Sequence, residues 1–128
     1  MKKRVLVIED HEENRRILRY LLASADIEML EAVTGEDGVA MAGKERPDLI
    51  LMDIQLPGLD GYEATRRIKG DPALRHIPII VVTSYALSGD DVKAFEAGCD
   101  AYVTKPFVPR ELLAKVREFL ARTAEGRA

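Results

Sequence analysis

The sequence predicts an α/β fold, a single doubly wound sheet of five parallel strands with five helices on its two faces. Three observations carry this reading. Short apolar runs alternate with amphipathic segments along the whole chain, as successive βα units require. Two of the runs, "LILM" (Leu49–Met52) and "IPIIVV" (Ile77–Val82), are apolar at every position, as strands covered on both faces are. The length, 128 residues, suits one domain with a core large enough to need no disulfide or metal staple.

Each element follows in order. "VLVI" (Val5–Ile8) is the first strand. "ENRRILRYLLAS" then puts Ile17, Leu18, Leu21 and Leu22 on one helical face and Arg15, Arg16 and Arg19 largely elsewhere. "IEMLEAV" (Ile27–Val33) is a weaker strand with interleaved glutamates, as a sheet edge tolerates. Gly35 to Glu45 is a short helix ended ahead of Pro47, and "DLILM" is the third strand. Asp60 caps a helix on which Tyr62, Thr65 and Ile68 share a face. "IPIIVVTS" (Ile77–Ser84), the most β-branched stretch, is a strand inside the sheet. Ser88 to Gly98 forms a helix through Val92 and Phe95, stopped by Gly98. "AYVT" is the fifth strand, and Pro109 opens a last helix with Leu112, Leu113, Val116, Phe119 and Leu120 on its apolar face. The domain is expected over 1–122, with "TAEGRA" (123–128) as a frayed tail.

Composition narrows the functions. A net charge of −3 disfavours a nucleic-acid surface. No apolar run approaches the ~18 residues of a membrane span. The basic start "MKKR" is followed by too short an apolar run and then by Glu9 and Asp10, so it fails as a signal sequence. One cysteine, Cys99, excludes an internal disulfide and fits a reducing cytoplasm. His11 and His76 stand at no metal-ligand spacing and read as surface residues. Cys99 reads as a packing residue, and Arg66, Arg67 and Lys69 as a solvated helix face.

The chemistry gathers at the strand ends. Ligands of open parallel sheets bind beyond the carboxyl ends of the strands. Strand one ends in Glu9-Asp10, strand three in Asp53, strand four in Thr83-Ser84, and strand five in Thr104-Lys105-Pro106. Three carboxylates crowded at one rim repel unless a cation intervenes. A hard divalent ion held by carboxylates and a phosphate resolves the conflict. Carboxylates also form aspartyl-phosphates, and a lysine with Mg²⁺ would screen the incoming phosphoryl charge. The absence of a strand-end histidine base and of a G-x-S-x-G elbow argues against hydrolysis of a carbon ester.

The ordered motifs "VLVIEDHEENR", "DLILMDIQLPGLDGYE", "IPIIVVTSYA" and "AYVTKPF" resemble the receiver domain of bacterial two-component response regulators, the CheY-like family, over residues 4–122. The resemblance implies the flavodoxin-like strand order 2-1-3-4-5. It implies Asp53 as phosphoacceptor, and Glu9 and Asp10, with Asp53, as the carboxylates around Mg²⁺, or Mn²⁺ in its place. Gln55 would add its backbone carbonyl to the metal. Thr83 and Lys105 would act on the phosphoryl group, and Tyr102 would rotate inward as Thr83 engages it. The Lys105-Pro106 bond matches one usually cis in the family. Gln55 and Tyr85, two residues beyond Asp53 and Thr83, match variable positions that tune phosphoryl lifetime.

The resemblance also implies partners. A sensor histidine kinase or histidine phosphotransfer protein would supply the phosphoryl group. A downstream effector protein would read the surface of the fourth helix, fifth strand and fifth helix. Neither nucleic acid nor membrane is expected as a partner, and the chain would be a monomer or a weak phosphorylation-dependent dimer in the cytoplasm. No effector domain is expected in a chain of this length, which is a stand-alone regulator or an excised receiver. It would not be a turnover enzyme. Two rivals remain at this point. A haloacid-dehalogenase-type phosphatase would want an acid at the Gln55 position, and a phosphorylation-independent binding module would keep the fold alone.

Overall fold

The computed structural model describes residues 2–84 and 89–126. The elements alternate strictly: β1 (Arg4–Ile8), α1 (Glu12–Ser24), β2 (Glu28–Ala32), α2 (Gly35–Glu45), β3 (Leu49–Met52), α3 (Gly61–Gly70), β4 (Ile79–Thr83), α4 (Asp90–Ala97), β5 (Ala101–Thr104) and α5 (Pro109–Gly126). All strand pairs are parallel, in the order β2-β1-β3-β4-β5. β3 is central and β2 an edge, as its glutamates predict.

Period-two alternation divides the strand residues between two cores. Leu6, Ile8, Ile50, Met52, Ile79 and Val81 face one side, packed with Ala42 of α2, Ala64 and Ile68 of α3 and Ala94 of α4. Val5, Val7, Leu49, Leu51, Ile80 and Val82 face the other, against Leu18 and Leu22 of α1 and Leu112, Val116 and Leu120 of α5. Each fully buried aliphatic side chain contributes about 1.5–3 kcal/mol, so the middle of the sheet is the rigid part of the molecule. The connections are fixed locally. Thr34 caps α2 by accepting from Asp37 N at 3.0 Å, and Asp60 caps α3 by accepting from Glu63 N at 2.9 Å.

The helices depart from the sequence reading in four places. Val92 and Phe95 do not line a core: both are about half exposed, and α4 buries Asp90, Ala94 and Ala97 instead. Small residues let α4 lie close to its neighbours, so its larger apolar side chains turn outward. Ile17 is likewise half exposed on α1. Lys69 is no solvated residue: its ammonium lies 2.9 Å from Asp100 and donates to Ile77 O at 2.8 Å. Its stem packs where a Cβ on Gly98 would come within 2.9 Å, and Gly98 itself has φ +111°, a conformation that favours glycine at a helix C-terminus. Ser88, the expected start of the fourth helix, lies outside the described residues. The last helix continues to Gly126, into the segment expected to be a tail.

Candidate functional site

Glu9, Asp10, Asp53 and Lys105 are each set one or two residues past a strand whose backbone ladder continues beyond its end. Asp53 N donates to Ile8 O at 3.0 Å, Glu9 N to Ala32 O at 3.0 Å, and Lys105 N to Thr83 O at 2.8 Å. These bonds carry the rigidity of the sheet out to its carboxyl rim. From behind, the start of α3 closes on the β3 end: Gly61 N donates to Ile54 O at 2.9 Å. A Cβ at Gly61 would lie 2.1 Å from Asp53 O, so only glycine permits that approach.

The structure brings Glu9, Asp10, Asp53 and Lys105 together. Asp53 and Glu9 are 6 % and 2 % exposed, an unusual burial for two carboxylates. Lys105 Nζ lies 2.5 Å from Glu9 Oε1 and 3.7 Å from Asp53 Oδ2. Asp53 Oδ1 accepts from Ile54 N at 2.7 Å. The Glu9 carboxylate also accepts from His11 N at 3.1 Å on Oε2 and from Asn14 Nδ2 at 3.2 Å on Oε1. An open cleft of about 580 Å³ in front of the group is lined by His11, Asn14, Asp53, Gln55, Ser84 and Lys105, among others. Gln55 is exposed. Thr83 is buried at the end of β4, in register with Thr104. Tyr102 is half-buried and packs on the α2–α4 side of the sheet, in a different place from the cleft lining. The Lys105-Pro106 peptide bond is cis. Tyr85 lies outside the described residues.

The electrostatics are unbalanced. Burial, and then the adjacent Glu9 charge, push the Asp53 carboxyl up to about 6 despite Lys105. Burial acts on Glu9 in the same direction, but there the hydrogen bond from Lys105, the His11 N–H and the Lys105 charge outweigh it, and the carboxyl is lowered. Lys105 therefore serves chiefly Glu9. One ammonium among three carboxylates leaves the pocket short of positive charge.

That deficit, and one buried atom, test whether the pocket fits a metal ion. Asp10 Oδ1 is buried with no hydrogen-bond partner; His11 Nδ1, 3.1 Å away, is not aligned to donate to it. One donor atom from each of Glu9, Asp10, His11 and Asp53 lies within 4.8 Å of the others. An orphaned acceptor in an oxygen-rich, electron-rich cluster is what a hard divalent ion satisfies. The residues fit. His11, read from the sequence as a surface residue, stands beside this carboxylate cluster. It was placed on the surface for want of a second histidine at ligand spacing, and its ring is indeed exposed. Its place follows from direct succession to Glu9-Asp10: as the residue before α1, it donates its N–H to Glu9 Oε2 at 3.1 Å.

The comparisons agree with this geometry. The family model for the response regulator receiver domain matches residues 5–117. The chain is 39 % identical over 120 residues to the polar-differentiation response regulator DivK of Brucella anthropi, covering 94 % of this chain and 98 % of that one. The receiver domain of the sensor histidine kinase PA1611 from Pseudomonas aeruginosa PAO1, solved with a magnesium ion coordinated in its active-site cleft, is 35 % identical. It aligns with TM-score 0.88 over 94 % of this chain and 99 % of that one. A CheY-like response regulator receiver domain protein from Methanospirillum hungatei JF-1 is 31 % identical with TM-score 0.91 over 98 % and 99 % of the two chains. With the fold, the strand-end cluster and a family match over most of its length in agreement, the chain belongs to the response regulator receiver domain family.

Proposed function

We propose that the protein is a phosphorylation-activated receiver whose Asp53 accepts a phosphoryl group from a histidine kinase or a histidine phosphotransfer protein. The observation that carries this reading is the buried Asp53 carboxylate, fixed at the end of β3 beside Glu9 and Lys105 and opening on the cleft. In the transfer, an Asp53 oxygen forms the new O–P bond as the donor's N–P bond breaks, and the imidazole leaves to take up a proton. Lys105 stands 3.7 Å from Asp53, close enough to attract a phosphoryl oxygen developing charge there. The Ile54 N–H holds Asp53 Oδ1 in orientation. Asp10, Asp53 and Glu9, with the Gln55 backbone carbonyl, would hold Mg²⁺ or Mn²⁺. When bound, that ion supplies positive charge that offsets the carboxylates and the phosphoryl oxygens.

Thr83 and Tyr102 are the proposed switch. Thr83 ends β4 on the rim, and Tyr102 lies on β5, one strand away, paired in register with Val81. Movement of Thr83 toward a phosphoryl oxygen would free space for Tyr102 and change the outer face of α4, β5 and α5. That face already carries exposed apolar side chains, Val92 and Phe95 on α4 and Val108 before α5, which suits contact with a downstream effector protein. Such a receiver works in the bacterial cytoplasm.

The test is incubation with Mg²⁺ and acetyl phosphate followed by intact-mass measurement. Wild type should gain one phosphoryl group and Asp53→Asn none. An unmodified wild type, under conditions that label another receiver, would count against the reading.

A further inference from the structure

His11 holds a place in the pocket that the phosphoacceptor chemistry does not use. Its Nδ1 lies 3.1 Å from Asp10 Oδ1 and 3.3 Å from Glu9 Oε2. A divalent ion about 2.1 Å from each of its donors spaces neighbouring donors about 3.0 Å apart at a right angle, and about 3.4 Å apart at the tetrahedral angle. Both distances at His11 fall in that interval. The nitrogen already stands at the separation of an adjacent ligand from each of the two carboxylate oxygens.

The Glu9 carboxylate is divided in a way that leaves this corner available. Oε1 takes Lys105 at 2.5 Å and Asn14 at 3.2 Å, whereas Oε2 takes His11, through its N–H at 3.1 Å and its ring Nδ1 at 3.3 Å, the latter a hydrogen bond that a metal ion would replace. Asp10 Oδ1 has no hydrogen-bond partner at all. The imidazole is 68 % exposed, so an ion reaches Nδ1 from solvent without opening the core. The ring is no structural cap: His11 precedes α1 but makes no side-chain capping hydrogen bond.

We propose that His11 Nδ1 is a ligand of the metal pocket, making it a mixed nitrogen and oxygen site that takes Zn²⁺. Imidazole is a favourable donor to Zn²⁺ and other later divalent metals and a poor one to Mg²⁺, which selects oxygen. The inference rests on the carboxylate metal pocket proposed above and adds to it a second class of ion. Zn²⁺ held by His11, Asp10 and Glu9 competes with the hard ion for the same carboxylates.

Carboxylates alone also bind Zn²⁺ more tightly than Mg²⁺, so the informative quantity is the change on removing the imidazole. Zn²⁺ and Mg²⁺ dissociation constants would be measured by calorimetry on wild type, His11→Gln, His76→Gln and Asp10→Asn. His11→Gln should weaken Zn²⁺ at least tenfold and alter Mg²⁺ by less than twofold, and His76→Gln should change neither. The chain has two histidines, which makes the nitrogen spectrum of the imidazoles readable residue by residue. Zn²⁺ should move the Nδ1 resonance of His11 and leave His76 in place. An unchanged Zn²⁺ constant in His11→Gln, or an unmoved His11 Nδ1 at saturating Zn²⁺, overturns the proposal. If Asp10→Asn still weakens Mg²⁺ in that event, the carboxylate pocket stands and only the His11 assignment falls. If Asp10→Asn changes neither ion, both fall together.

Discussion

Asp53 is held against its own chemistry in the metal-free protein. Its carboxyl is pushed up to about 6, from 3.8, first by burial and then by Glu9. A group whose value is raised on folding contributes fully below its unfolded value, and that contribution is lost as pH rises through the folded one. Metal-free wild type should therefore lose stability between about pH 4 and pH 7 on account of this residue. At 1.36 kcal/mol per unit, the neutral variant Asp53→Asn should be more stable by about 1–3 kcal/mol at pH 7.5 and by almost nothing near pH 4. Urea denaturation at the two pH values, with a chelator present, measures the difference. Equal midpoints at pH 7.5 would show that the Asp53 carboxylate is not strained. Cys99 illustrates the same physics without a function: burial, then the Asp100 charge, pushes its thiol up to about 11. Its alkylation by iodoacetamide at pH 8 should run at least tenfold slower in the native protein than in urea, because only the thiolate reacts.

At the scale of elements, the contact between α3 and the end of β3 decides where Asp53 points. A Gly61→Ala side chain would meet Asp53 O at 2.1 Å and Ile54 Cα at 2.7 Å, both backbone atoms that cannot rotate away. The substitution should cost about 2–4 kcal/mol, at or above the usual range for overpacking, and should slow labelling by acetyl phosphate through displacement of Asp53. A midpoint within 0.5 kcal/mol of wild type would mean that α3 shifts freely. The sequence made much of this architecture legible. The unbroken runs at Leu49–Met52 and Ile79–Val82 could only be strands covered on both faces, and the polar residues that end them had to share a rim. The helix faces were less legible. Val92 and Phe95 look like core positions by spacing, but the close packing of Ala94 and Ala97 turns them outward. Lys69 looks like one more basic surface residue, because Asp100 and the Ile77 carbonyl, its partners, are distant in sequence. The strand order came from the family resemblance, since residue spacing alone does not fix which strands are neighbours. The nearness of His11 to Asp53 was hidden for a different reason: the two are brought together only by the pairing of β1 with β3.

Across the whole molecule, the pocket's excess negative charge is carried by the same sheet that supplies the stability. β1, β3 and β5 deliver Glu9, Asp53 and Lys105 from the sheet that holds both cores together, so any ion bound there is linked to global unfolding. An ion that binds the folded state alone stabilises it by RT ln(1 + [L]/Kd), about 2.7 kcal/mol at one hundred times Kd. Mg²⁺ should thus raise the thermal midpoint of wild type, and a chelator should restore the original value. The gain should depend on pH with a definite sign. Below about pH 4 the Asp53 carboxyl is protonated in both states and offers the ion little. Above about pH 6 it must be charged, and the ion relieves the repulsion from Glu9 that raised it. The Mg²⁺ increment should therefore grow with pH through this interval and be small in Asp10→Asn and Asp53→Asn. Scanning calorimetry across pH 4–8, with and without saturating Mg²⁺, measures all three curves. A constant increment in every variant would mean that Mg²⁺ acts through general screening, which the mutated carboxylates barely affect. A rising increment confined to wild type would tie the stability of the sheet to the occupancy of its rim.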